Sequence, residues 1–222
     1  MLAAGARVLD AGAGDGRYRD LFPRQRYEAT DFGQVPKPYA RMDFLSDLQR
    51  LPVASSAYDV VVCTQVLAHI SEPGVVIREF CRVLKPGGEL WLTCPLHFHQ
   101  NEHPYDFFRF TEFGLRHLLG RAGFQEMSIA PVETYLGALQ YHLSTAARRL
   151  PTRPSAYGGG LAGCVGAAAA IPCKPICAAF CQLFTWVELR SEALELPFNG
   201  PHPFRLNVNW KVVARKPAGA ET

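Results

Sequence analysis

A glycine-rich turn bracketed by acids is the first place in this sequence where residue types and spacing could do chemistry. Val8-Leu9-Asp10-Ala11-Gly12-Ala13-Gly14-Asp15-Gly16 reads as a buried strand running into a turn that lets a small ligand approach the backbone. The spacing is Gly-x-Gly-x-Gly, and Arg17 stands where a dinucleotide fingerprint carries its third glycine. Asp10 and Asp15 would repel a pyrophosphate. The pattern favours a nucleoside that carries positive charge and no phosphate. It disfavours a nicotinamide dinucleotide and the oxidoreductase chemistry that would go with it.

A second group of reactive side chains comes later: His97, His99, Glu102, His103 and Asp106, in a loop-like stretch after a predicted strand. Imidazoles and carboxylates can take a proton from an acceptor hydroxyl, so His103, His99 and Asp106 are the candidate catalytic groups. For Asp106 a second reading stands beside the first, a local ion pair with Arg109 that stiffens the loop. The ligand types would suit a metal, but they follow no recognised metal-binding spacing, and no metal site is expected. His69 is expected to pack at a helix start. Cys173, Cys177 and Cys181 recur every four residues and are read as small apolar packing groups on one helix face.

The elements that must hold these groups alternate along the first half. Strands are predicted at 7–11, 26–30, near 41–43, at 58–64 and at 89–94, with a short helix after the glycine turn. A helix at 74–84 buries Val76, Phe80, Val83 and Leu84 and stops at Pro86-Gly87-Gly88. Another runs from a Thr111 cap to Arg121 with Leu115, Leu118 and Leu119 inward, and a strand follows at 124–132. This rhythm predicts a doubly wound α/β fold whose ligand sits at the carboxyl ends of parallel strands. Asp10, Asp31, Thr64 and Cys94 fall at such ends.

The second half differs. A helix is predicted at 135–150, then a break rich in proline and glycine. Two apolar runs follow, Leu161–Ile171 and Ile176–Val187, separated by Pro172-Cys173-Lys174-Pro175. Neither run reaches the roughly 20 residues of a bilayer span. One reading is a helical hairpin that packs over the active site as a lid; the other is a monotopic patch that dips into the membrane, with Arg148, Arg149, Arg153 and Lys174 near head groups. A closing strand is predicted at 207–214. The expected division is a core at 1–134, a helical insertion or lid at 135–200, and a closing strand and tail at 201–222.

At 48% hydrophobic and 19% charged the chain is globular rather than disordered. A net charge of +3 is too small to argue for nucleic acid. The seven cysteines are odd in number and scattered, which suits free thiols in a reducing compartment. With no signal peptide expected, the reading is cytoplasmic, with membrane association left open.

Four blocks together resemble a known family: Val8 to Gly16; Leu51-Pro52 through Asp59 to His69; Arg82-Val83-Leu84-Lys85-Pro86-Gly87-Gly88; and Asn101 to Thr111. In this order they are similar to class I S-adenosylmethionine-dependent methyltransferases of the small bacterial type-11-like group. The resemblance covers Ala6 to about Val132, with a return near 207–217. It implies a Rossmann-like, mostly parallel seven-stranded sheet with a helical insertion before the last strand, and S-adenosylmethionine as cofactor. By the same resemblance, Gly12 and Gly14 would approach the methionine part and ribose, Asp10 would anchor the ammonium end through the loop, and Asp31 would accept the ribose hydroxyls. Phe32 would lie on the adenine, Asp47 and the Leu48 amide at its edge, and Thr64 and Gln65 under the methionine. The implied reaction is methyl transfer to a small or lipid-linked acceptor, an oxygen of a sugar, glycan or similar metabolite, with no nucleic-acid partner and the oligomeric state open. The chain departs from the family in two ways. Leu67-Ala68-His69 replaces the usual Leu-Glu-His, and the sequence begins at the first strand where relatives carry an N-terminal helical segment. These departures motivate an alternative, a methyltransferase-fold protein that binds the cofactor or a partner without transferring methyl.

Overall fold

The computed structural model describes residues 2–133, 135–193 and 208–219. They form two compact units, Met1–Pro131 with Asn209–Thr222, and Val132–Val208.

The first unit is built on one seven-stranded sheet. Its strands are β1 (Arg7–Ala11), β2 (Arg26–Asp31), β3 (Phe44–Leu45), β4 (Tyr58–Thr64), β5 (Leu84–Pro95), β6 (Gln125–Pro131) and β7 (Asn209–Arg215). The spatial order is β3-β2-β1-β4-β5-β7-β6. The first five strands pair in parallel, while β7 lies antiparallel between β5 and β6. The near-continuous apolar runs of β1 and β4 sit mid-sheet, where both faces are covered; Val8 is in register with Val60 and Leu9 with Val61.

Helix α1 (Pro73–Val83) opens on a proline, which lacks the amide that a first turn leaves unpaired anyway, and buries Val76, Ile77, Phe80 and Val83. Helix α2 (Glu112–Arg121) is capped by Thr111, whose Oγ1 accepts from the Gly114 amide at 3.1 Å. Leu115 and Leu119 are fully buried and Leu118 packs against the same core. The closing strand is tied to the loop after β5 by Trp210 Nε1, which donates to the Phe110 carbonyl at 2.9 Å. Lys216, buried just past β7, donates to the Leu84 carbonyl at 2.9 Å.

The structure departs from the sequence reading in local ways. The helix expected after the glycine turn is a single 3-10 turn at Arg19–Leu21. Gly12, Gly14 and Gly16 all have positive φ, and too few residues remain before Pro23 for two helical turns. The third strand lies at Phe44–Leu45 instead of 41–43, because the Asp43 carboxylate itself accepts the Ala29 amide at 2.8 Å. The closing strand expected at 207–214 is described from Asn209, and residue 207 lies outside the described residues.

The second unit holds α3 (Tyr135–Arg149) packed on α4 (Gly160–Ala193). The hairpin expected from the two apolar runs is one continuous helix with Pro172 and Pro175 inside it. Proline φ is already helical, so each ring removes a donor without forcing a reversal. The Pro-Cys-Lys-Pro link also has no glycine to take the left-handed conformation that ends a helix.

Candidate active site

The carboxyl edge of the parallel strands encloses a cavity of about 670 Å³, lined within the first unit. One wall is the glycine turn. The Gly12 and Ala13 amides both donate to the Thr30 carbonyl, at 2.8 and 3.0 Å, which folds the turn over the end of β2. Gly12 has φ +85°, and a Cβ there would stand 2.3 Å from Val66 Cγ2, so only glycine fits. Gly14 lines the cavity at φ +54°, where an added Cβ would meet open space, while its carbonyl accepts the Ala40 amide at 2.9 Å.

Asp31 ends β2 and braces this wall. Its Oδ2 accepts the Gly14 amide at 3.0 Å and its Oδ1 the Gly33 amide at 3.1 Å. Each oxygen keeps a further lone pair for a ligand hydroxyl. Phe32 is 44% exposed and meets Tyr105 edge-on, ring centroids 6.2 Å apart. Asp47 holds the next turn through the Gln49 amide at 2.9 Å, beside Leu48. Thr64 and Gln65 end β4. Gln65 sits at φ +60°, a conformation rare outside glycine, and its backbone N–H donates a hydrogen bond to the Thr93 carbonyl at 2.9 Å. Gly12, Gly14, Asp31, Phe32, Asp47, Leu48, Thr64 and Gln65 all line the cavity.

Asp10 lies beneath the turn and outside the lining, and is almost fully buried. The Tyr27 hydroxyl donates to its Oδ2, and its Oδ1 is the one buried side-chain atom without a partner among the described residues. Burial raises its pKa; the Tyr27 bond opposes this and the Asp31 charge adds to it. The balance favours the protonated form of Asp10, and an acceptor on the cavity wall itself is the Asp31 carboxylate.

The three expected catalytic groups are placed elsewhere. His99, His103 and Asp106 do not line the cavity. Asp106 has a side chain only 4% exposed. It receives Arg109 Nη1 and Nη2 at 2.7 and 2.9 Å, and the Asn101 amide at 2.9 Å. The Arg109 guanidinium holds its carboxyl down at about 2, so it stays an anion with its lone pairs engaged. His99 stacks on Phe98 and its carbonyl accepts from Arg109, while His103 is exposed. The neighbouring residues Glu102, Tyr105 and Phe107 reach the cavity instead.

His69, expected to pack at a helix start, also lines the cavity. Its Nδ1 lies 2.5 Å from the Tyr105 carbonyl oxygen and 3.9 Å from Asp106 Oδ1. A carbonyl only accepts, so Nδ1 carries the proton and Nε2 keeps the lone pair in the neutral ring. The loop is pinned here because the Ala68 carbonyl accepts the Phe107 and Phe108 amides, at 2.9 and 3.2 Å. Ala68 itself is fully buried in the core and outside the lining. The sequence signal for His69 was its place just past the end of β4; what pairs it with Tyr105 is packing across 36 residues.

Residues 9–92 match the family model of a methyltransferase domain. Over these residues the chain is similar to methyltransferase domains. Among curated proteins, the domain is similar to a ubiquinone biosynthesis O-methyltransferase of Pseudomonas aeruginosa, 32% identical over 103 residues, covering 40% of this chain and 44% of the relative. The enzyme of that name from Marinobacter nauticus is 31% identical over 105 residues, with the same shares. The chain thus matches less than half the length of these relatives. Among solved structures, the [4+2]-cyclase SpnF superposes with a TM-score of 0.56 at 22% identity, over 98% of this chain and 78% of that one. A putative methyltransferase of Bacillus halodurans superposes at 0.52 and 16%, over 98% and 95%. These likenesses support the fold of the methyltransferase domain, and the cyclase shows that the fold alone does not name a reaction.

Proposed function

We propose that the chain transfers the methyl group of S-adenosylmethionine to a hydroxyl oxygen of a small or lipid-linked acceptor. The observation that carries this reading is the juxtaposition in one cavity of the glycine wall braced by Asp31 with an imidazole whose tautomer is set by Tyr105. Asp31 would hold the ribose diol, Phe32 the adenine face, Asp47 and Leu48 its edge, and Gly12, Gly14, Thr64 and Gln65 the methionine part. Asp10, behind the turn, would act on the ammonium end through the loop. When bound, the cofactor would supply an electrophilic methyl group on a sulfonium; the C–S bond would break as the C–O bond forms, and the sulfur would leave as the neutral thioether of S-adenosylhomocysteine. The protein positions that oxygen and keeps water out, with Phe107, Val66 and Ile70 giving the cavity apolar walls. His69 Nε2 takes the proton as the oxygen attacks, and the imidazolium so formed gains from the Asp106 charge beside its Nδ1. The curated relatives are named as O-methyltransferases of ubiquinone biosynthesis, which supports an oxygen acceptor.

The test joins isothermal titration with turnover. S-adenosylhomocysteine is expected to bind the wild type and His69→Gln equally, while turnover with an accepted hydroxyl substrate falls roughly 100-fold or more in the variant. No heat with either S-adenosylmethionine or S-adenosylhomocysteine would remove the cofactor assignment. Full turnover in His69→Gln would remove the base.

A further inference from the structure

Helix α4 wears its apolar side chains on the outside. Its small residues Gly163, Ala167 and Ala170 are buried. There the turn at Pro154–Tyr157 presses close: a Cβ on Gly163 would meet the Pro154 carbonyl oxygen at 2.5 Å, and one on Gly166 the Tyr157 ring at 2.7 Å. The large side chains Leu161, Val165, Ile171, Ile176, Phe180 and Leu183 are all exposed. A helix of a water-soluble domain does the reverse, burying large apolar groups and showing polar ones. An apolar surface this long is a binding surface.

Charge identifies what it binds. Between Glu133 and Glu188 the sequence has no acidic residue, and the charged side chains in that interval are Arg148, Arg149, Arg153 and Lys174. The three arginines cluster at the connection between α3 and α4. Basic clusters beside an apolar helix complement anionic lipid head groups. Trp186, exposed near the C-terminal end of the apolar stretch, adds an amphipathic ring of the kind found at membrane–water interfaces.

By length and composition Gly160–Trp186 could cross a membrane. The topology argues for a different placement. The chain leaves the sheet at Pro131 and returns at Asn209, and Pro131 is paired with Trp210. A single crossing would put two hydrogen-bonded strands on opposite sides of the bilayer. We propose that α4 is a monotopic helix that lies along an anionic bilayer with its apolar face in the acyl boundary and Arg148, Arg149 and Arg153 on the head-group phosphates. This does not rest on the methyl-transfer reading.

The experiment is sedimentation of the full chain with vesicles of phosphatidylcholine alone, or with about 30 mol% phosphatidylglycerol added. Partitioning is expected to be at least about tenfold stronger on the anionic vesicles and to weaken with salt. Each arginine near the surface is worth roughly fivefold, so Arg148→Gln/Arg149→Gln/Arg153→Gln loses about 100-fold. Ile176→Asp/Phe180→Asp, at exposed positions, abolishes binding. Brominated lipid quenches the wild-type tryptophan emission, and Trp186→Phe removes most of that quenching. Circular dichroism and S-adenosylhomocysteine binding check that each variant is folded. A full chain that ignores both vesicle types overturns the proposal, as does binding that survives the aspartate pair. A concentration-dependent dimer that the aspartate pair dissolves, with no vesicle binding, assigns the face to a second copy and also overturns it. Loss of S-adenosylhomocysteine binding with vesicle binding intact would touch only the methyl-transfer assignment.

Discussion

Replacing Asp106 with asparagine separates a structural carboxylate from a catalytic one. The substitution keeps the shape and removes the charge that Arg109 holds with two hydrogen bonds. The carboxyl sits at about 2 against an ordinary 3.8, a difference that corresponds to about 2 kcal/mol of folded-state stabilisation. The side chain is almost fully buried, so solvent screening takes little from that figure. The sign follows from the direction. The folded value is depressed, so the stabilisation is fully present above about pH 4 and is lost as the pH falls toward 2. At pH 7 Asp106→Asn should therefore lower the unfolding free energy by about 2 kcal/mol, or the midpoint by roughly 4–8 °C. Urea titration and thermal scans of both proteins from pH 7 downward measure it, and the two stabilities should converge as the pH drops below 4. Equal stability of the two proteins at pH 7, or stabilities that stay apart below pH 4, would refute the reasoning.

The glycine wall yields a paired test. Gly12→Ala places a methyl 2.3 Å from Val66 at φ +85° and should abolish S-adenosylhomocysteine binding and lower the unfolding midpoint. Gly14→Ala meets open space, so it should cost only about 1 kcal/mol of backbone strain while still weakening the ligand, read by titration and thermal scan side by side. Asp31→Ala removes the acceptor for the Gly14 and Gly33 amides together with the proposed ribose contact; the S-adenosylhomocysteine dissociation constant should rise at least about tenfold by titration. Normal affinity in that variant would remove the ribose placement.

Much of this molecule was legible because its signals are local. The apolar runs of β1 and β4 read as central strands of a covered sheet, and they end at Ala11, just past Asp10, and at Thr64 on the predicted edge. The positive φ of Gly12, Gly14 and Gly16 follows from residue type. Eight of the nine cofactor residues expected from the sequence line one cavity, and Asp10 sits behind it, because strand ends in a parallel sheet converge whatever the loops do.

The loop after β5 was not legible in the same way. Which of its side chains turn inward is decided by two amides of Phe107 and Phe108 docking on the Ala68 carbonyl, a contact made across the fold. That contact brings Tyr105 to His69, and Arg109 gathers Asp106 and the backbone of Phe98 and His99. No period or spacing carries this information, since residue order along a loop does not set the direction of its side chains. The same holds for α4. Composition announced two apolar runs, but whether Pro172 and Pro175 divide or merely punctuate them depends on the backbone finding a turn, and the chain offers none. Residue types thus determined the sheet, the glycine turn and the acids at its edge, while long-range packing alone chose the imidazole that faces the cavity, because only a folded chain brings distant carbonyls and rings within hydrogen-bond reach.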